Sequence, residues 1–528
     1  MTVWNTTYKS CHLERSREIL IRIMTILPWH KLILLSCLLT LLTACNDKHD
    51  DVIRFGLTRL PVTLDPRFAT DAASSRVNRL LYQSLVDFDD NANPVPSLAD
   101  WTFVTPTRCR FHLRKQGRRF ADGSFLTATD VKATYSNVLD KDTASPLRIS
   151  LANIRDIVII NDDTVDFVLN EPDILFPGRL LIGIMPAKLL ADDHPFNRKP
   201  VGSGAFVFDS WDGDSRLRLR RRTDERMFEF VAVADPTVRV LKLLRGEIDM
   251  LQNDLPPEMI KYLEGDDRVV VTRHAGSNFA YLGFNMNDQF TGQQNIREAI
   301  ARALDRQSII TYVLGGAARP ANALLPPTHW AGNADLVGYS YDPDRARQLL
   351  QQSGYNQAHP LHLTYKTSSD PFRLRLATII QQQLADVGIQ VDLRSYDWGT
   401  FYGDIKAGRF QMYSLMWVGI KLPDIFRYAF HSASVPPAGA NRGRLIDARV
   451  DELIETAEHG TTLAEQAVYY RQLQDYLLQK LPYVPLWYED HVFVSRKSIH
   501  GYHIASDGNY DGLKTVDLTM TGKQNGER

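Results

Sequence analysis

Leu361-His362-Leu363-Thr364-Tyr365, the apolar-periodic run at 372–387, and Ile389-Gln390-Val391-Asp392-Leu393-Arg394 read as strand, helix and strand in succession. The outer runs are short, alternating and rich in Leu, Ile, Val and Tyr, as strands are. The middle run is too long for a typical strand and spaces its apolar residues like a helix. Strand, helix, strand in that order is a βαβ unit with parallel strands. Tyr396-Asp397-Trp398 then closes the unit in a structural role. The alternation extends outward from it. Residues 295–304, 307–314 and 344–353 upstream read as helices. Downstream, 411–417 and 492–495 read as strands, and 451–459 and 463–481 as helices. This part of the chain is therefore an α/β lobe with a partly parallel sheet.

The first half has a different texture. Residues 52–57 read as a strand and Leu64-Asp65-Pro66 as a turn. Val77, Leu80, Leu81 and Leu85 set a helical period over 72–85. Residues 102–114 alternate, Phe120-Ala121-Asp122-Gly123 turns, and Thr127 caps a helix with Asp130 three residues on. Residues 157–160 and 165–169 form a hairpin around Asn161-Asp162-Asp163. Pro200-Val201-Gly202-Ser203-Gly204-Ala205 breaks this pattern and marks a crossing between lobes ahead of a strand at 206–208. A helix at 236–245, a short strand at Ile248-Asp249-Met250 and a strand at Tyr281-Leu282-Gly283-Phe284-Asn285 follow.

The chain opens on a targeting segment. His30 and Lys31 precede an apolar run at 32–42, and Thr43-Ala44-Cys45 ends it. Positive flank, short apolar core and small residues make a secretory signal, and about 20 residues are needed to span a membrane. Met24 gives a compact signal of residues 24–44, so it is a candidate true start; residues 1–23 show no periodicity. Cys45 after Leu-Thr-Ala resembles a bacterial lipobox, which implies cleavage before Cys45 and lipid on its sulfur. Residues 45–51 are then a tether, and the rest works outside the cytoplasm, held to a membrane surface. Asp47 points to the inner membrane of a Gram-negative bacterium.

Charge excludes a nucleic-acid binder. The chain has 61 basic and 62 acidic residues. Removing residues 1–44 removes five basic and two acidic ones, which leaves 56 and 60 and a net charge of −4. The arginine-rich run 216–226 reads as a solvated hairpin edge. Of Cys11, Cys37, Cys45 and Cys109, only the last two survive processing, so no disulfide framework forms; Cys109 reads as a buried strand thiol.

Taken in order, several segments resemble the bacterial extracellular solute-binding proteins of family 5, which include dipeptide-, oligopeptide- and nickel-binding components of ABC importers. Leu64-Asp65-Pro66 with 69–74, Leu98-Ala99-Asp100-Trp101, Phe111-His112-Leu113-Arg114-Lys115 and Phe120-Ala121-Asp122-Gly123 carry the resemblance. So do 127–131, 201–206, 281–285, 296–306 and Tyr341-Asp342-Pro343. It runs from Val52 to about Leu518. The resemblance implies a periplasmic binding protein-like fold: two α/β lobes joined by a hinge, plus a small inserted α+β domain. Domain I takes 52–82, 200–285 and, with the tail, 490–528. The inserted domain II is 83–199 and domain III is 286–489. A monomer is expected, with a peptide or other small solute and a membrane permease and ATPase complex as partners.

A binding cleft needs few, well-placed polar groups. Met416-Trp417-Val418-Gly419-Ile420-Lys421-Leu422-Pro423-Asp424 resembles the family's tryptophan loop, which faces the cleft. In the family's peptide binders an Asp three residues after the Trp meets the ligand's ammonium. Ile420 stands there instead, and Asp424 reads as a support of the fold. Trp417 is the first candidate ligand contact. Asn441 and Arg442 resemble the family's Asn-containing cleft segment, and Arg442 has the fork to clamp a carboxylate. Asn278 offers an amide to ligand backbone, Tyr281 lies on the same strand, and Thr70 offers a loop hydroxyl. Lys421 reads as pointing to water.

Catalytic signatures do not occur. There is no HExxH, GxSxG, P-loop or CxxC pair, and His359 and His362 flank Pro360 rather than share a helix face. No cofactor, metal site or catalytic residue is assigned. The reading is an importer's substrate-binding lipoprotein that captures a peptide-like solute. The alternatives are a ligand-sensing or chaperone lipoprotein of the same fold, a binder of a nickel or haem complex, and, less favoured, a hydrolase.

Overall fold

The computed structural model describes residues 51–518 apart from Asp214. The signal, Cys45 with residues 46–50 of its tether, and the tail beyond 518 lie outside the described residues. The chain divides into two units, Met1–Asp51 and Val52–Arg528, and every described element belongs to the second.

Eleven strands form one large mixed sheet. They are β1 (Ile53–Leu57), β2 (Phe206–Asp212), β3 (Arg216–Arg221), β4 (Met227–Ala232), β5 (Met250–Gln252), β6 (Val269–Phe284), β7 (Ala318–Pro320), β8 (Leu361–Ser368), β9 (Ile389–Tyr396), β10 (Met412–Trp417) and β11 (Tyr483–Arg496). Their spatial order is β9-β8-β10-β6-β11-β5-β1-β4-β3-β2, with β7 beside β11. β8 and β9 pair in parallel from Leu361↔Ile389 to Ser368↔Tyr396, and the helix Pro371–Ala385 joins them. Asp370 caps that helix by accepting from the Arg373 N–H, and Leu376, Ala377, Ile380 and Leu384 turn inward. The βαβ unit read from the sequence is therefore present.

β6 and β11 are much longer than their apolar runs suggest, at 16 and 14 residues. They pair antiparallel from Val269↔Arg496 to Gly283↔Tyr483 on both sides of a break, so each belongs to both halves of the sheet. Residues 269–274 of β6 lie in the half with β5 and β1, whereas 279–284 pair with β10. The register breaks between His274 and Asn278. Gly276 sits in that break, where an added Cβ would lie 2.2 Å from the Glu489 carbonyl oxygen. The sequence hides this continuity because Thr272-Arg273-His274 is polar and Ala275-Gly276-Ser277 reads as a loop.

Apolar side chains gather in separate cores. One lies between β8, β9 and the helices Gln294–Ala303, Pro343–Gln352 and Pro371–Ala385. An aromatic core with Phe279, Tyr281, Tyr413, Phe426, Phe430 and Tyr470 lies near it. Another lines β1 to β4. A fourth fills a separate antiparallel sheet in the order Ala99–Thr105, Arg108–Leu113, Thr164–Leu169, Ile154–Asn161. The helix Ala128–Leu139 covers it and carries the capping box of Thr127 and Asp130. Cys109 is fully buried there, and burial pushes its thiol well above the usual range.

Local readings change in three places. The alternation over 102–114 is two strands, because Pro106-Thr107 turns the chain. The helix from Ala72 stops at Leu81, whose carbonyl is taken by the Gly204 N–H at 2.8 Å. A Cβ at Gly204 would lie 2.4 Å from the Leu81 carbonyl carbon, so the glycine is what allows the crossing to pass there. The arginine-rich run is a hairpin strand but not an edge: β3 lies between β4 and β2, with Arg216 and Arg218 exposed and Leu217, Leu219 and Arg221 buried. Arg218 instead pairs at 2.7 Å with the buried Glu229.

Candidate ligand cleft

The carboxyl ends of β8, β9 and β10 share one edge of the sheet, since β8 runs parallel to both neighbours. Open α/β sheets bind ligands outside such ends. After β9, Asp397 caps the helix Trp398–Ala407 through the Thr400 N–H. After β10, Trp417 ends the strand opposite Phe279, and an exposed turn follows at Val418-Gly419.

Aromatic rings and one guanidinium build this edge. Arg442 lies over the half-buried Trp417 ring, 4.7 Å from its centroid, and Tyr428 meets the same indole edge-on at 6.2 Å. The guanidinium donates to the hydroxyls of Tyr281 at 3.3 Å and Tyr402 at 3.1 Å. Tyr402 stacks on Trp398 at 5.4 Å and 7°, and Trp398 is 59% exposed. Behind them Tyr281 stacks on Tyr483 at 3.9 Å. Burial disfavours the Arg442 charge, but the tyrosines around it, Tyr281, Tyr483, Tyr413 and Tyr402, shift the balance the other way and raise its pKa. Burial also keeps the hydroxyls of Tyr281, Tyr413 and Tyr483 neutral, above their ordinary range.

The loop after Trp417 is tied down on several sides. Lys421 does not point to water: its ammonium meets Asp507 at 2.6 Å and sits 5.7 Å from the Phe88 ring. The charge-assisted contact replaces the water that an exposed lysine would keep. Burial tends to raise the Asp507 carboxyl, yet Lys421 prevails and holds it below the usual range. Asp424 takes the guanidinium of Arg179 at 2.5 Å, and Asp173 meets the same group at 2.8 Å. Ile420 packs against the aromatic core. His329 accepts from the Ala331 N–H through Nδ1 at 3.0 Å, which leaves Nε2 to donate to the Lys421 carbonyl at 3.2 Å. Burial brings this imidazole down to about 4.

Trp417, Arg442 and Tyr281 therefore come together, although Tyr281 is fully buried and serves as Arg442's support. Asn278 is half-buried beside the β6 bulge, one residue before Trp417's cross-strand partner, and its amide makes no hydrogen bond among the described residues. Asn441 turns away from any ligand. Its amide donates to the carbonyls of Phe430, His431 and Leu445 and accepts from the Leu445 N–H, because the 431–445 loop needs its own acceptors and donors met. Thr70 is exposed ahead of the helix Ala72–Leu81, and no described contact joins it to the others. Sequence reasoning missed Tyr402 and His329 and gave Trp398 a purely structural role. The i, i+4 spacing of Trp398 and Tyr402 was the available signal for an aromatic face. Cavities of about 430 Å³, lined by Thr63, Arg67 and His194, and about 540 Å³, lined by Arg302 and Tyr339, share no residue with this edge. Among the described residues, no group of three or more His, Cys, Asp or Glu is placed to hold a metal.

The fold is that of the periplasmic binding proteins. In a Helicobacter pylori structure, the ABC transporter-associated periplasmic binding protein DppA in complex with peptide STSA, the chain finds 26% identity and a TM-score of 0.73, over 88% of this chain and 98% of that one. Di/tripeptide-binding protein 2 of Pseudomonas aeruginosa is 28% identical over 80% of this chain and 87% of its own length. Di/tripeptide-binding protein 1 of the same organism is 26% identical over 85% and 91%. Residues 93–435 match the family described as bacterial extracellular solute-binding proteins, family 5 Middle, and the chain belongs to that family.

Proposed function

We propose that this protein captures a small peptide-like solute between two hinged lobes and hands it to a membrane ABC importer without changing it. The observation that carries this reading is the pair of shared strands, β6 and β11, with the Gly276 bulge midway along them. A break in two otherwise continuous strands gives closure a place to bend. Domain I would comprise 52–82, 200–285 and 490–518, domain II 83–199, and domain III 286–489. The ligand would lie against Trp417, Arg442 and Asn278, with Tyr281 and Asn441 as supports and Thr70 reaching in from domain I. The dipeptide, di/tripeptide and peptide STSA partners named for the relatives favour a peptide-like cargo. Cys45 would carry lipid and hold the protein at the inner membrane as a monomer. Among the described residues no helix is long and apolar enough to cross a membrane. Mass spectrometry of solute released from the purified protein tests the reading. A bound small molecule that leaves unaltered is the expected result; a solute consumed on incubation would refute it.

A further inference from the structure

Five arginines are buried among the described residues: Arg118, Arg221, Arg239, Arg297 and Arg442. Four of them meet oxygen acceptors suited to a cation. Arg118 pairs with Asp163, and Arg221 with Asp224. Arg239 donates to the carbonyls of Val233 and Ala234, and Arg297 to those of Lys480 and Thr291. Arg442 hydrogen-bonds only two neutral hydroxyls, those of Tyr281 and Tyr402, and otherwise faces the Trp417 and Tyr402 rings. Two of its five N–H groups are used, and neither a carboxylate nor a carbonyl bonds it among the described residues. A buried guanidinium in that condition lacks a counter-charge. The backbone next to its partners is open: a Cβ on Gly403, beside Tyr402 in the chain, or on Gly419, two residues past Trp417, would meet nothing within 4 Å.

Of the acids near this edge, Asp370 and Asp397 accept from the backbone N–H groups of Arg373 and Thr400 as helix caps, and four others are held by cations. Asp507 is held by Lys421, Asp424 by Arg179, Glu489 by Arg373 and Asp490 by Arg319. None of these four is left over to receive an ammonium group.

We infer that the solute presents a carboxylate to Arg442 and needs no free amine, as an N-acylated peptide with a free carboxyl end does. The inference rests on the solute-capture reading. The carboxylate would take the remaining N–H donors as a two-pronged, charge-assisted contact. Trp398 and Tyr402, stacked and partly exposed, would flank a flat or apolar side chain next to it.

Calorimetry on the intact protein in detergent tests this with three pools of one dipeptide set: N-acetyl with free acid, N-acetyl with carboxamide, and free amine with carboxamide. The N-acetyl acids should bind at least about tenfold tighter than their amides. Arg442→Gln should erase that gap. Because the first comparison uses unaltered protein, it stands even if the variant folds poorly. Equal binding of acid and amide, or preference for the free amine, would overturn the inference and leave solute capture standing. A silent titration with all three pools, with no solute released from the native protein, would defeat both.

Discussion

Asn441 and Arg442 are neighbours in the chain with opposite fates. Both have side chains that suit a peptide ligand, and the sequence gives no means of telling them apart. The difference is where each points. Asn441 meets the needs of its own loop, whereas Arg442 reaches the Trp417 ring. Asn441→Ala should therefore lower stability by about 1–3 kcal/mol, the usual effect of stranding buried polar groups, and calorimetric unfolding would measure it. Trp417→Ala should weaken solute binding at least about tenfold with only a modest fall in Tm, since the ring is half-exposed. Unchanged affinity would remove Trp417 from the cleft. His329 makes a pH prediction. Its pKa drops from the ordinary 6.5 to about 4 on folding, so the unfolded chain binds the extra proton more readily. Its contribution is present above pH 6.5 and is lost as pH falls through about 4, a difference on the order of 3 kcal/mol. His329→Gln should flatten that part of the stability profile; an unaltered slope would mean that another group sets it.

At the scale of elements, periodicity found the helices well. The helices read at 236–245, 295–304, 344–353, 372–387, 451–459 and 463–481 overlap the observed ones, whereas Trp398–Ala407 and Ile425–Phe430 were not read. Strands with one solvated stretch were harder to read. β6 and β11 were legible only at their apolar ends, because pairing across two strands, and not local composition, carries them through His274 and Glu489. The 418–424 segment was legible as a loop following a strand, but its ion pairs were not: Asp507 lies far along the chain, and Arg179 comes from a different sheet's surroundings. Lys421→Met should destabilise the protein by about 3 kcal/mol by leaving Asp507 buried and charged. Adding Asp507→Asn should restore part of that loss, and a double-mutant cycle would report the coupling. Additive effects would mean that the two groups act independently.

At the scale of the whole molecule, the proposed bend is the break at Gly276. An alanine there would press on the Glu489 carbonyl, so Gly276→Ala should destabilise the chain by about 1–3 kcal/mol and shift the balance of open and closed forms. Small-angle scattering with and without solute would detect the shift; identical curves for variant and parent would argue against a hinge there. Cys45→Ser should yield a chain that no longer takes up labelled palmitate. Cys109 has a practical bearing on all of this. A chain that starts beyond Cys45 keeps a single thiol, sealed inside an antiparallel sheet and reluctant to ionise. Such a chain is a quiet background for spectroscopic labels. Cysteines placed at the exposed positions of Ile149 and Val337 could carry spin probes without interference from it. The spacing between those probes would register each capture and release directly.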